Sequence, residues 1–180
     1  YKPHCATCNK CIPIRLNVSS FKANKTQRRV LKQNSDLECR IEKTEFTSAS
    51  YTLFERYIEA RHKYGDMYPA TEDQFKSFLL SPWANTRSLN FYLDGDLVSS
   101  AVTDIQLRSI SAIYTFFEPD QSFRSLGTLS ILKQVHLASS MNLKHVYLGY
   151  WINESAKMDY KKNYRPNEQL IDGYWLERRE

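Results

Sequence analysis

The sequence predicts an α+β fold: a mostly antiparallel central sheet with flanking helices, plus an N-terminal Cys-rich segment. Three observations carry this. Apolar and polar residues alternate in short runs along the chain, the period of half-buried strands. Between those runs lie segments with helical spacing and N-cap residues. Three of the four cysteines fall within HCATCNKC, His4 to Cys11. A length of 180 residues, 42% of them hydrophobic, suits one domain with a sizeable core, or one domain plus a fragment of another. We divide the chain into 1–36, the end of a Cys-rich region with a basic helix, and 37–180, the main domain.

The elements follow in order. IPIRLNV alternates Ile12, Ile14, Leu16 and Val18 with Arg15 on the other face, a strand. KTQRRVLK is a helix whose Lys25, Arg28, Arg29 and Lys32 share one face. LECRIEK is a strand in which Leu37, Cys39 and Ile41 alternate toward a core. SYTLFERYIEARHKYG is an amphipathic helix with Tyr51, Phe54, Tyr57 and Ile58 on one side. Thr71 to Gln74 predicts a capping box ahead of FKSFLL. SLNFYLD and DLVSSAVTDIQL, joined at an Asp-Gly turn, predict a hairpin. SAIYTFF is a further strand, SLGTLSILKQVHLASSM a helix and KHVYLGYWI a strand. A basic, aromatic stretch closes the chain, and no repeat or low-complexity linker interrupts it. The apolar runs, such as Ile110 to Phe117, are too short to span a bilayer, so no membrane partner is expected.

Cys5, Cys8 and Cys11 follow C-x2-C-x2-C. No secretory feature favours disulfides. The spacing lets successive thiolates turn toward one centre, as in zinc sites, and it opens the bacterial ferredoxin ligand run. The expected occupant is therefore zinc or an iron–sulfur cluster, against reduced structural or redox-active thiols. His4 is badly placed for a fourth ligand, and Cys39 reads as a strand core residue. A chain that opens at Tyr1, without an initiator Met, is expected to lack residues upstream, where a fourth ligand would lie.

The net charge of +5 is uneven. Residues 1–32 carry eight Lys and Arg and no acid, +8, so residues 33–180 sum to −3. A basic front on a mildly acidic body suits a polyanion such as RNA or DNA.

The order of antiparallel strands, a glycine-containing loop opening a helix, and a further strand resembles the GCN5-related acyltransferase core. That resemblance implies a loop-to-helix turn that offers backbone N–H groups to a phosphate-bearing acyl donor. RSLGT, Arg124 to Thr128, stands at that turn. The blocks YKPHCATCNKCIPIRL, VTDIQLRSISAIYTFFEPDQSFRSLGT and YLGYWINESAKMDYKKNYRPNEQL together resemble the aminoacyl-tRNA–protein transferases of the N-degron pathway. The resemblance runs over essentially the whole chain and is nearest the bacterial aspartate/glutamate leucyltransferases, relatives of eukaryotic arginyltransferases. The family has a further N-terminal segment with another cysteine, which this sequence lacks.

The resemblance implies a cytoplasmic transferase. It moves an aminoacyl group, leucyl or arginyl, from aminoacyl-tRNA to the α-amine of proteins that begin with Asp or Glu and so marks them for degradation. No cofactor is required for the transfer. The expected roles are tRNA phosphate binding by Lys25, Arg28, Arg29 and Lys32, and an acyl-donor pocket of Arg124, Ser125, Gly127, Thr128, Tyr150 and Trp151. The acceptor carboxylate falls to Arg15, Lys157, Lys161 and Arg165, and proton handling to Asp104, which matches an arginyltransferase acid in similar context. Two other classes stay open. A CoA-dependent N-acetyltransferase predicts a richer glycine run and no basic helix. A non-enzymatic metal-knuckle RNA-binding protein predicts no acyl pocket behind RSLGT.

Overall fold

A computed structural model describes residues 10–153, 155 and 158–178. Eight strands form one sheet: β1 (Ile12–Asn17), β2 (Glu38–Lys43), β3 (Thr86–Leu93), β4 (Asp96–Ile105), β5 (Ser109–Phe117), β6 (His145–Trp151), β7 (Asn167–Ile171) and β8 (Tyr174–Arg178). Their spatial order is β2-β3-β4-β5-β6-β1-β7-β8, and β5–β6 is the parallel pair among them. The helices are α1 (Lys25–Gln33), α2 (Ser48–His62), α3 (Glu72–Leu79) and α4 (Leu126–Ser140), with 3-10 turns over Pro119–Arg124 and Asp159–Asn163.

Each element has a local cause. Asn24 caps α1, accepting from the Gln27 backbone N–H while the Gln27 side chain accepts from the Asn24 N–H, both at 2.9 Å. Thr47 and Ser50 form the same reciprocal pair at the start of α2. The box expected at Thr71 is half made. Thr71 Oγ1 accepts from the Gln74 N–H, but the Gln74 side-chain oxygen turns inward and is buried without a partner. The β3–β4 hairpin turns at Asp94 and Gly95, with φ of 50° and 94°, the paired left-handed residues of a type I′ turn.

Helices cover both faces of the sheet. On one, α4 packs against β5 and α1 packs against α4, around Ile14, Leu16, Leu89, Phe91, Ile110 and Leu126. On the other, α2 packs against β4 and β5, around Leu53, Phe54, Ile58, Phe75, Val102 and Phe116. Phe75 meets Phe54 edge-on at 5.3 Å. Burying such aromatic side chains is worth on the order of 2–3 kcal/mol each.

Two expectations need correction. The closing basic, aromatic stretch contains a second hairpin, β7–β8, turning at Asp172 and Gly173 with φ of 49° and 84°. Ile41 is 50% exposed, because β2 is an edge strand that no helix covers there. Cys39 does lean on the main core, and burial pushes its thiol upward. Strand β1, from the segment before residue 37, lies inside the sheet between β6 and β7.

Candidate active site

The β5–β6 seam opens partway along. Pairing runs through Ser109↔His145, Ile110↔Val146 and Ser111↔Tyr147 and stops there, although β5 continues to Phe117 and β6 to Trp151. A β-bulge drives β6 away. Pro13 pairs with Tyr150 and Arg15 with Tyr147, so β6 holds one extra residue, and Gly149 takes it at φ +76°. The YLGYW motif thus encodes a bend that re-aims Tyr150 and Trp151.

At the open end, β5 runs through the Pro119–Arg124 turn into α4. Ser125 adopts the left-handed conformation at φ 55° and makes no side-chain cap. The N–H groups of Leu126 and Gly127 have no acceptor among the described residues, so they are available to an anion. A Cβ on Gly127 would meet Phe117 at 3.8 Å, ordinary contact, so packing alone does not demand glycine there. Arg124, expected in this pocket, is already held. It grips Asp36 through two hydrogen bonds of 2.9 Å and keeps that carboxyl below its usual range. Its role is to tie this loop to the end of α1, helped by Asn34, whose amide donates to the Arg124 carbonyl at 2.9 Å.

The C-terminal block meets the same turn. The buried Tyr164 lies beside Thr128 of the first turn of α4, whose hydroxyl partly offsets the rise that burial gives the phenol. Beside it, Arg165 forms no ion pair among the described residues, and its Nη1 is buried without a hydrogen-bond partner. Lys161 is 8% exposed and also lacks a carboxylate there. Its Nζ donates to the Tyr150 carbonyl at 2.6 Å and lies 3.6 Å from Met158 Sδ. Burial pulls this amine down to about 8. Lys162 pairs instead with Asp159 at 2.7 Å, and Lys157 lies outside the described residues.

The basic helix adjoins this block. Gln27, on the buried face of α1, donates to the Asn163 carbonyl at 3.3 Å. On the opposite face Lys25, Arg28 and Arg29 are exposed with Lys32 beside them, and none pairs with a carboxylate among the described residues.

Two expected residues lie apart. Arg15 donates to Glu168 at 2.5 Å and to the Tyr147 hydroxyl at 3.0 Å, and it stacks 4.0 Å over the Trp175 ring. Its charge is thus already answered. Asp104 accepts from Thr86 Oγ1 at 2.6 Å and pairs in register with Ser111, at the closed end of the seam. Six residues of β5 separate that level from Phe117, about 20 Å of strand. Sequence reasoning passed over Arg61, which is exposed and lies 5.3 Å over the Phe117 ring, beside the turn. Its signal was a basic residue at the end of α2, among helix residues assigned to packing.

Of the cysteines, Cys5 and Cys8 lie outside the described residues, and Cys11 is half-buried and forms no disulfide among the described residues. Cys39 lies on β2, five strand spacings from β1, about 24 Å away. It therefore cannot join Cys11 on one ion.

The comparisons agree on a family. The model described as "Arginine-tRNA-protein transferase, C terminus" matches residues 49–171, and its N-terminal counterpart matches residues 1–29. An aspartate/glutamate leucyltransferase of Marinobacter nauticus is 46% identical over 177 residues, covering 98% of this chain and 75% of the relative. One from Pseudomonas fluorescens is 47% identical over 176 residues, with the same coverage. Among solved structures, the C-terminal domain of a putative lysylphosphatidylglycerol synthetase from Agrobacterium fabrum superposes with TM-score 0.56 at 10% identity, covering 79% of this chain and 47% of that one. A GCN5-related glucosamine N-acetyltransferase region of a fungal multi-domain β-N-acetylglucosaminidase gives 0.54 at 7%, covering 94% and 20%. Both share this chain's fold, and the second is described as GCN5-related.

Proposed function

This chain belongs to the arginine-tRNA-protein transferase family, and we propose on that premise that it transfers leucine from leucyl-tRNA to the α-amine of proteins beginning with Asp or Glu. The observation that carries the reading is 46–47% identity to aspartate/glutamate leucyltransferases across 98% of the chain. The chain is an aminoacyl-tRNA–protein transferase; the leucyl donor, the acidic acceptor and a cytoplasmic setting are the finer parts of the proposal.

The geometry supplies parts for each step. The α1 cations and Arg61 hold tRNA phosphates, a contact that reads charge rather than sequence. The free N–H groups of Leu126 and Gly127 face the phosphate of the terminal nucleotide. Arg165 takes the acceptor's side-chain carboxylate, since its guanidinium has no other anion among the described residues. An aminoacyl ester is already activated, so orientation supplies most of the rate. The acceptor must still attack as a free amine. Lys161 suits the role of proton acceptor, because burial holds its amine near 8, far closer to cellular pH than an ordinary lysine, so a minority of it is neutral there. Asp104, about 20 Å along β5 from the turn, is the less suitable base.

The transfer draws on no cofactor. Cys5, Cys8 and Cys11 are proposed to hold zinc or an iron–sulfur cluster, and elemental analysis of anaerobically purified protein tests that. The deciding experiment is transfer of labelled amino acid from leucyl- and arginyl-tRNA to peptides beginning with Asp, Glu or Ala. Leucine on the Asp and Glu peptides alone is expected. Equal transfer to the Ala peptide overturns the acceptor assignment, and arginine transfer overturns the donor.

A further inference from the structure

A second concavity lies on the α2 side of the sheet, and its lining includes neither the α4 turn nor Tyr150 and Trp151. It is a cavity of about 290 Å³ beneath the start of α2. Its floor is apolar: Phe75, Val102 and Phe116 are each 1% exposed, and Leu97 closes one side. Its polar side is anionic. Glu42 Oε2 accepts from the Asn90 amide at 2.6 Å and the Tyr92 hydroxyl at 2.9 Å, which fixes the carboxylate and leaves Oε1 without a donor among the described residues. Ser100 also lines the cavity; it is 2% exposed, and its hydroxyl makes no hydrogen bond among the described residues. That hydroxyl is therefore open to the cavity and able to hydrogen-bond a polar group held there. At the rim, Glu45 is paired with Lys43 at 3.3 Å.

We propose that this cavity binds the leucyl group of the donor, its α-ammonium on Glu42 Oε1 and its isobutyl side chain among Phe75, Leu97, Val102 and Phe116. This rests on the leucyl-transfer reading above. Charge separates donor from acceptor. The acceptor's first residue carries a side-chain carboxylate, which Glu42 repels. The aminoacyl group carries one positive charge and, for leucine, an apolar side chain, which matches a fixed carboxylate above an apolar floor. An arginyl group would set its guanidinium against that floor. Phe116, in the floor of the cavity, belongs to β5, the strand whose edge toward β6 is unpaired beyond Ser111.

Calorimetric titration with leucinamide, which keeps the ammonium and lacks the carboxylate, tests the site without any transfer. Leucinamide is expected to bind the wild-type protein and to compete with leucyl-tRNA in transfer. N-acetylleucinamide, without the ammonium, is expected not to bind. Glu42→Gln should weaken leucinamide at least tenfold. Leu97→Phe, which narrows the apolar end, should weaken leucinamide more than alaninamide, a change of preference that misfolding does not produce. No leucinamide binding, equal binding of the acetylated compound, unchanged affinity in Glu42→Gln, or binding that leaves leucyl-tRNA undisplaced would each overturn the proposal. Failure of leucine transfer to acidic peptides, with leucinamide binding as expected, would instead count against the reading it rests on.

Discussion

Two arginines expected to bind the acceptor carboxylate have opposite surroundings. Arg15 lies between β6 and β7 with Glu168 on its Nε, the Tyr147 hydroxyl on its Nη1 and the Trp175 ring against its plane. Arg165 follows the Asp159–Asn163 turn with a buried Nη1 and no partner among the described residues. The first is a finished interaction that ties β1 to β6, β7 and β8. The second is an unfinished one. A basic motif in sequence does not say which is which, because the deciding carboxylate of Arg15 stands 153 positions away. Ion pairing completed inside the fold marks structure, and a buried cation left unanswered marks a site.

The largest effect expected from this contrast is on catalysis. Arg165→Ala should lower kcat/KM for Asp- and Glu-starting peptides by at least ~30-fold, the lower end of the roughly 2–5 kcal/mol that follows removal of one partner of a buried charge pair. Its thermal stability should stay close to wild type. Arg165→Lys should rescue poorly if the interaction is bidentate. An Arg165→Ala protein that transfers normally but melts early would reverse the assignment of the two arginines.

Lys161 sharpens the same contrast through pH. Its folded-state value of about 8 lies below the ordinary 10.5, so between those pH values the unfolded chain binds more protons than the folded one. Stability must therefore rise with pH across that window, by up to about 3 kcal/mol. Below pH 8 both states are protonated and the cost of burying the charge is fully present. Lys161→Met should abolish the rise, which chemical denaturation at about pH 7.5 and pH 10 would measure. If Lys161 also accepts the acceptor's proton, the variant should be slower across the pH range. The acceptor amine titrates nearby, so the readout is the difference between the two profiles. A Lys161→Met protein with wild-type stability at both pH values would show the amine to be freely solvated.

Arg15→Ala should act on stability instead. With side chains 14% and 17% exposed, the Arg15–Glu168 pair is mostly desolvated, and removing one partner strands the other at about 2–3 kcal/mol. Removing both should recover much of that, because Glu168 is then no longer left alone. Equal destabilisation in the single and double variants would mean that Arg15 acts through Trp175 and Tyr147 rather than through charge.

Much of the fold was legible because its signals are local. The Asp94–Gly95 turn, the Asn24 cap and the alternation in β1 lie within a few residues of what they specify. The β7–β8 hairpin carried an equally local signal, Asp172–Gly173, hidden by charged and aromatic neighbours that masked its alternation. The site was less legible because its facts are relational. Arg124 looked like a donor-binding residue until Asp36, 88 positions earlier, took its charge. The Leu97–Phe116 cavity gathers residues from β2 to β5 and two helices, none conspicuous alone. The approach of Tyr164 to Thr128, which brings the C-terminal block to RSLGT, spans 36 positions and had no signal in either segment.

The smallest expected effect concerns α1. Its four cations answer no carboxylate among the described residues, which places them with Arg165 rather than Arg15, but they lie on the solvent side of the helix. In water such charges contribute little singly, and their effect is to displace counterions from nucleic acid. Arg28→Ala with Arg29→Ala should therefore leave peptide specificity and stability almost unchanged and weaken tRNA binding evenly across tRNA sequences. The slope of log affinity against log salt should flatten by roughly one for each phosphate that the protein no longer neutralises. Binding titrations at several salt concentrations measure this directly. An unchanged slope would make the face an ordinary solvated surface, and the tRNA grip would then rest on Arg61 and the α4 turn. That alternative predicts its own result: Arg61→Ala, rather than the helix double variant, would flatten the slope.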